Sequence, residues 1–280
     1  MNAIAPTADT SDHAHGGGSL AAVATQMLGA DVLKLRKKRS IMIWSLVIAI
    51  APPVIFLLVG AIQHASNPAE HGPAGGVHNF SDGLRVIALL FGPLSALLIG
   101  VEAGAGDAAA GVFRDLVVTG RSRWALFASR VPAALAVCFA VIIPAYVVLL
   151  AGSFALASGL PTPSGSLILD GLGFLLLSTG MMCVVAVGFG SLTTSKPGAI
   201  IALVTWLIVA SPLLAMIKSL GSSRDALLSQ GVAHFSPVST EGGGHGSTVT
   251  MSGGTALIVL VGWIVVLLAL GTWRTRTMDA

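Results

Sequence analysis

Six long apolar runs dominate the pattern of hydrophobic and polar positions along this chain. They cover residues 41–62, 84–100, 131–156, 167–192, 199–217 and 256–273. A helix needs about 20 predominantly apolar residues to cross a bilayer, and in lipid its backbone polar groups must be satisfied within the segment. The pattern therefore predicts an all-α membrane protein with six transmembrane helices, and a transmembrane domain over residues 41–273.

Prolines interrupt most of these runs, at Pro52, Pro53, Pro93, Pro132, Pro144 and Pro212. Each proline removes one helical hydrogen bond and frees a carbonyl, so kinks are predicted at these positions. Neighbouring helices must then satisfy the freed carbonyls, which favours a packed bundle.

Composition supports the membrane class, because 54% of residues are hydrophobic and only 10% are charged, against about 25% charged in soluble domains. The net charge of +3 does not indicate a nucleic-acid partner. Cys138 and Cys183 lie inside apolar runs without the spacing of a metal or redox motif, so they are predicted to be packing residues.

Basic residues between the runs predict the orientation, because cytoplasmic loops carry an excess of Lys and Arg. One side collects Lys34, Arg36, Lys37, Lys38, Arg39, Arg114, Arg121, Arg123, Arg130, Lys196, Arg274 and Arg276, whereas the other side has Arg85, Lys218 and Arg224. Both termini are therefore predicted to be cytoplasmic. Residues 1–19 lack the basic and apolar regions of a signal peptide and are expected to form a flexible cytoplasmic tail, with residues 274–280 as a second tail.

The loops predicted to face outward contain few candidate functional residues. In the third, "SRDALLSQGVAHF" has apolar residues at helical spacing and predicts a short helix at the outer surface. The first holds His64, His71 and His78 at seven-residue intervals, but its Gly and Pro content disfavours helical alignment, and no metal site is predicted. Arg85, Asp170 and Lys218 lie near outer span ends, where ionisable side chains reach water. With no charge firmly at mid-membrane, a proton or sodium relay is not indicated.

Residues 20–40 predict an amphipathic helix before the first span, the elbow helix. Its apolar stripe and its basic face are formed by Ala24, Leu28, Val32 and Leu35 and by Lys34, Lys37 and Lys38. Such a helix lies along the headgroups with its ammonium groups on anionic lipid. It serves either as a topology anchor alone or as an element that carries motion from a cytoplasmic partner to the first span.

Charge and glycine concentrate in "VEAGAGDAAAGVFRDLVVTGRSR", residues 101–123, between the second and third runs. The glycine spacing matches neither a P-loop nor a dinucleotide fingerprint, and no Walker A sequence occurs in the chain. The second span is predicted to end near Gly100, with Glu102 at the interface and "AGAG" turning the chain. Asp107 is then a plausible N-cap of a short cytoplasmic helix.

That short helix, the coupling helix over residues 107–120, has one apolar face formed by Val112, Phe113, Leu116 and Val117, with Arg114 and Asp115 off it. An amphipathic helix in a cytoplasmic turn is either a surface lid or a rigid knob for a groove on a soluble partner. The knob would move both adjoining spans together.

These pieces in this order resemble the membrane subunit of ABC transporters of the type 2 exporter class. Subunits of that family have a basic helix often of the form E-L-x-K-L-R-R, then six spans, with an acidic residue and glycine after the second. The matching pieces here are "DVLKLRKKRS" (residues 31–40), Glu102, "DAAAGVFRDLVVTG" (107–120) and "RSRWALFASR" (121–130). Val112 follows Gly111 where the family often has threonine.

The resemblance implies a permease in the bacterial plasma membrane, bound to two copies of a separate ATP-binding subunit and paired with a second copy or a homologous permease. ATP and Mg²⁺ would bind the partner, so no cofactor and no catalytic residue is expected in this chain. Coupling to the ATPase is assigned to Glu102, Asp107, Gly111, Val112, Phe113, Arg114, Leu116, Val117, Arg121 and Arg123. The elbow helix and its Leu28, Val32, Lys34, Leu35, Lys37 and Lys38 would contact lipid and transmit motion.

The mostly apolar spans would suit an amphipathic or hydrophobic cargo such as a drug, lipid or peptide. Two other classes stay open. One is a non-transporting membrane partner with the same fold, such as an immunity or sensor protein. The other is a membrane-embedded enzyme, although no Ser/His, H-E-x-x-H or paired-aspartate signature occurs in or beside the spans.

Overall fold

The computed structural model describes residues 20–111, 123–193, 195–238 and 251–277, and it contains helices but no strand within those ranges. The elbow helix spans Leu20–Lys37. Six helices are long and apolar enough to cross a membrane, as predicted. We number them as spans 1 to 6: Arg39–Ser66, Gly76–Ala109, Arg123–Ala155, Gly165–Leu192, Lys196–Met216 and Gly253–Thr277.

Spans 2, 3 and 4 form the centre of the bundle. In the most apolar stretch of span 4, 72% of residues are buried, against 17% in span 6 and 22% in each of spans 1 and 5. The core side chains include Phe80, Leu97, Ile142 and Leu175. Spans 1, 5 and 6 therefore keep broad apolar faces open, which in a bilayer meet lipid or another helix.

Glycines explain how closely spans 2 and 4 approach. A Cβ on Gly100 would lie 2.6 Å from the Cβ of Ala186 and 2.7 Å from the carbonyl oxygen of Cys183, and a Cβ on Gly104 would clash with the carbonyl oxygen of Val187. Small residues let helix backbones pack closely in membranes. Gly100 and Gly104 thus form a packing surface against span 4.

The prediction that "AGAG" ends the second span is wrong. Helix Gly92–Ala109 runs through it, because packing against span 4 compensates for the weak helix propensity of glycine. Asp107 accordingly lies inside the last turns of span 2 and is not an N-cap. The turn comes at Gly111, whose φ of +70° is the left-handed conformation typical of a glycine after a helix end.

Two π-helical turns precede prolines in the spans. Span 2 consists of Gly76–Val86, the π turn Ile87–Phe91 and Gly92–Ala109. Span 5 consists of Lys196–Thr205, the π turn Trp206–Ala210 and Ser211–Met216. Pro93 and Pro212 follow these turns, which widen the helix where a proline ring would meet the carbonyl four residues earlier. At Pro93 and Pro212, where kinks are predicted, the irregularity of the helix is thus a π turn.

The predicted short outer helix is present but interrupted. Its first part is the 3₁₀ segment Lys218–Ala226, which we term the outer segment. Its second part is the helix Leu228–Ala233, which we term the outer helix. The indole nitrogen of Trp263 in span 6 donates to the carbonyl of Ala226 at 2.9 Å. This bond holds the outer segment against span 6.

Candidate functional site: a buried charge cluster

The candidate site is a group of charged side chains at the end of the bundle where span 2 finishes. Its two carboxylates, on Glu102 and Asp107, are only 5% and 3% exposed. Because each helical residue turns by about 100°, the five-residue spacing directs the two side chains about 140° apart around span 2. Each carboxylate therefore meets different helices.

Asp107 joins span 2 to span 3 and to the elbow helix. Its Oδ2 accepts from Arg130 Nη2 at 2.9 Å, and its Oδ1 pairs with Lys34 Nζ. Arg130 is itself buried, and its Nη1 donates to the carbonyl of Gly104 at 3.3 Å. The guanidinium thus spans a carboxylate and a backbone carbonyl of the same helix.

Glu102 faces the other way, toward spans 5 and 1. Lys196 Nζ lies 3.1 Å from Oε1 and 3.0 Å from Oε2, and Lys38 Nζ lies 3.6 Å from Oε1. Lys196 begins span 5, and Lys38 occupies the break between the elbow helix and span 1. Glu102 therefore ties the starts of two spans to the middle of the bundle.

The elbow helix is also attached by apolar contacts and by a hydrogen bond from span 3. Leu35 is buried in the core, and Leu28 and Val32 pack against it. Ser129 Oγ of span 3 donates to Asp31 Oδ2 at 2.6 Å. Leu28, Val32 and Leu35 of the predicted apolar stripe thus pack against protein, whereas Ala24 is exposed.

We call Glu102, Asp107, Lys34, Lys38, Arg130 and Lys196 the charge cluster. It has four cations for two carboxylates, which offsets the large penalty of burying carboxylates away from water. Breaking one partner out of a buried pair is strongly destabilising. The charge cluster is therefore a joint among the elbow helix and spans 1, 2, 3 and 5, in which the Asp107–Arg130 pair is buried on both sides.

Two predictions about these residues need correction. Glu102 does not lie at a water interface but is buried against lysines of other helices. Lys34 and Lys38 pair with Asp107 and Glu102 and are not directed only at lipid, because buried carboxylates require cations and these two lysines share a face. The side chains of Arg36, Lys37 and Arg39 are exposed, and these remain suited to anionic headgroups.

The rest of the assigned coupling residues mostly lie outside the described part of the chain. These are Val112, Phe113, Arg114, Leu116, Val117 and Arg121, together with the side chain of Arg123. Gly111 is exposed at the turn after span 2. Residues 107–111 are thus the part of the coupling helix prediction that the structure describes, and Asp107 to Ala109 belong to span 2.

Sequence reasoning used Arg130 and Lys196 for orientation and missed their pairing with the carboxylates. The available signal was Glu102 and Asp107 themselves, since carboxylates beside an apolar run need cationic partners. Which of the basic residues supply them depends on helix packing.

The other polar candidates are not brought together into a site. His78 Nε2 lies 3.4 Å from Asp82 Oδ2, and His64 Nδ1 lies 2.7 Å from the carbonyl oxygen of His71. Within the described residues no three His, Cys, Asp or Glu side chains are grouped as metal ligands. Asp170 and Lys218 are exposed. Cys138 and Cys183 are free thiols buried in the core, in agreement with a packing role.

No protein-family model matches the sequence, and no curated protein matches it. Function is accordingly inferred from the charge cluster and from the order of elements along the chain.

Proposed function

We propose that this chain is the permease subunit of an ATP-driven exporter of the ABC type 2 class. It lies in the bacterial plasma membrane with both termini in the cytoplasm. Two copies of a separate ATP-binding subunit hold ATP and Mg²⁺, and a second permease copy or a homologous permease completes the assembly. The cargo is amphipathic or hydrophobic.

The observation that carries this proposal is the double attachment of Asp107 to Arg130 of span 3 and Lys34 of the elbow helix. In sequence, the segment assigned to the ATPase contact lies between the end of span 2 at Ala109 and the start of span 3 at Arg123. A displacement of that segment thus acts on two spans and the elbow helix through one carboxylate. A mere surface lid has no need of such a joint.

Glu102 extends the same path to spans 5 and 1 through Lys196 and Lys38. These spans have broad apolar faces that are open in the single chain. Movement of span 1 or span 5 against a second copy would open or close an apolar path between the two. This arrangement supports an amphipathic or hydrophobic cargo.

The test is co-expression with an ABC-type ATPase, which we expect to be encoded in a neighbouring reading frame. We expect a stable complex in detergent or nanodiscs whose ATPase activity depends on this chain. Phe113→Asp and Leu116→Asp should abolish the complex, because a carboxylate on the apolar face prevents docking. Leu220→Asp, at an exposed hydrophobic position of the outer segment, is the matched control and should leave the complex intact.

A complex that survives both Phe113→Asp and Leu116→Asp would contradict the assignment of the coupling helix. A chain that purifies without any ATP-binding subunit, from cells that express the neighbouring ATPase, would contradict the exporter proposal. That result would favour a non-transporting immunity or sensor protein.

A further inference from the structure

A small, partly open cavity lies among the helices, away from the charge cluster. Its volume is about 40 Å³, and spans 2, 4 and 5 and the outer helix line it. Three hydroxyl groups face it, on Ser178 of span 4, Ser211 of span 5 and Ser229 of the outer helix. Ser178 and Ser211 are 4% and 3% exposed, so these hydroxyls are buried.

The span 2 wall of the cavity is the π turn before Pro93. There the Gly92 N–H donates to the carbonyl of Ile87, five residues earlier, so the carbonyl of Ala88 loses its α-helical donor. Ser178 Oγ supplies a replacement by donating to the Ala88 oxygen. Pro93 has no N–H to offer the carbonyl of Leu89, which also lines the cavity.

The span 5 wall repeats this arrangement. The Ser211 N–H donates to the carbonyl of Trp206, so the carbonyl of Leu207, another lining residue, loses its α-helical donor. Ser211 Oγ and Ser229 Oγ lie 2.7 Å apart. Because a hydroxyl pair uses only one of its two protons in the mutual bond, one O–H remains for a further acceptor.

The lining of this cavity decides what it binds. Among the described residues that line it none is ionisable, so an ion there would lack a counter-charge in a low-dielectric interior. A buried water needs about 10–15 Å³ and two to four polar partners. The cavity accordingly has room for about three waters, and the hydroxyls and freed carbonyls supply their hydrogen bonds.

We propose that this cavity is a hydrated site, a cluster of about three ordered waters that links the π turns of spans 2 and 5 to the outer helix. The waters bond the carbonyls of Leu89 and Leu207, two lining residues whose carbonyls lack α-helical donors. Because water exchanges hydrogen-bond partners readily, the two spans bend at these turns against the outer helix without exposing an orphan carbonyl. This inference does not depend on the exporter proposal.

Hydrogen–deuterium exchange of a thiol tests it. Ser211→Cys is placed in a chain with Cys138→Ala and Cys183→Ala, and the infrared S–H stretch is followed after transfer of nanodiscs into D₂O. We expect the S–H band of Ser211→Cys to be replaced by the S–D band while the wild-type thiols, which are buried in the apolar core, keep theirs. The wild-type chain is thus the dry control at a similar degree of burial.

Retention of the S–H band at Ser211→Cys for as long as in the wild type would overturn the proposal. Exchange that is slowed by sodium chloride but not by choline chloride would also overturn it, since it indicates a bound cation. If the variant does not fold, a high-resolution structure of the wild-type chain in nanodiscs decides, because ordered water density within hydrogen-bond distance of Ser211 or Ser229 is required.

Discussion

Removal of the Asp107 carboxylate is the sharpest perturbation of the charge cluster. Asp107→Ala takes the ion-pair partner of both Arg130 and Lys34 away, and only 7% of the Arg130 side chain is exposed. A guanidinium in that position cannot move its charge into water without leaving its place between spans 2 and 3. The loss in stability of this variant therefore measures the free-energy cost of leaving the buried Arg130 without its carboxylate partner.

The expected loss in free energy of unfolding is about 3–5 kcal/mol, the range for removing one partner of a buried ion pair. Glu102→Ala is the matched control, since Glu102 is equally buried and also has two cationic partners. Its lysines differ, because the side chains of Lys38 and Lys196 are 46% and 24% exposed. Both lysines can extend to water, so the expected loss is about 1 kcal/mol.

Equilibrium unfolding in mixed micelles with increasing denaturing detergent measures both losses against the wild type. Asp107→Asn, which keeps the shape and an acceptor oxygen, should fall between the wild type and Asp107→Ala. Equal losses for Asp107→Ala and Glu102→Ala would refute the argument that the burial of the cation sets the magnitude. A loss below about 1 kcal/mol for Asp107→Ala, a value typical of exposed pairs, would refute the claim that this pair is a structural joint.

Other consequences follow from packing and hydrogen bonding. Gly104→Ala should destabilise the chain by about 1–3 kcal/mol through overpacking against span 4. Gly173→Ala, with open space around its Cβ, is the control and should be neutral or slightly stabilising. Thermal unfolding compares the two variants, and equal effects would contradict the packing role of Gly104. Trp263→Phe removes the hydrogen bond to Ala226 and should lower the free energy of unfolding by about 1 kcal/mol. Limited proteolysis of the segment Lys218–Ala226 should then be faster. An unchanged cleavage rate would contradict the role of this hydrogen bond. Cys138 and Cys183, 1% and 0% exposed, should react with maleimide only after denaturation, so labelling of the folded chain would show that they are not packed in the core.

Hydropathy alone located all six spans, with differences only at the ends. The most informative error was at residues 100–106, where glycine was interpreted as a turn signal. Glycine has two uses in a membrane helix, a backbone turn and a close helix contact, and the sequence pattern is the same for both. The distance from Gly100 to Ala186 of span 4 decides between them.

The charge cluster could be predicted only in part. Glu102 and Asp107 stood out as acidic residues beside an apolar run, and Lys34 and Lys38 as part of a basic helix. Their pairing could not be derived, because it depends on which face of span 2 each carboxylate occupies and which helix lies there. Arg130 and Lys196 are distant in sequence from the carboxylates, and only packing brings them within 3.1 Å.

The sequence by itself determined that this chain crosses a membrane with six helices, because the preference of a 20-residue apolar run for lipid is a sum over local residues. It also indicated the irregular turns at Pro93 and Pro212, whereas Pro52, Pro53, Pro132 and Pro144 lie inside continuous helices. Only the tertiary structure decided that Gly100 and Gly104 pack against span 4, that Lys34 of the elbow helix and Lys38 just after it pair with buried carboxylates, and that two π turns share a serine-containing cavity with the outer helix. Each of these depends on rotation about a helix axis and on the identity of the neighbouring helix, and neither is encoded in local hydropathy.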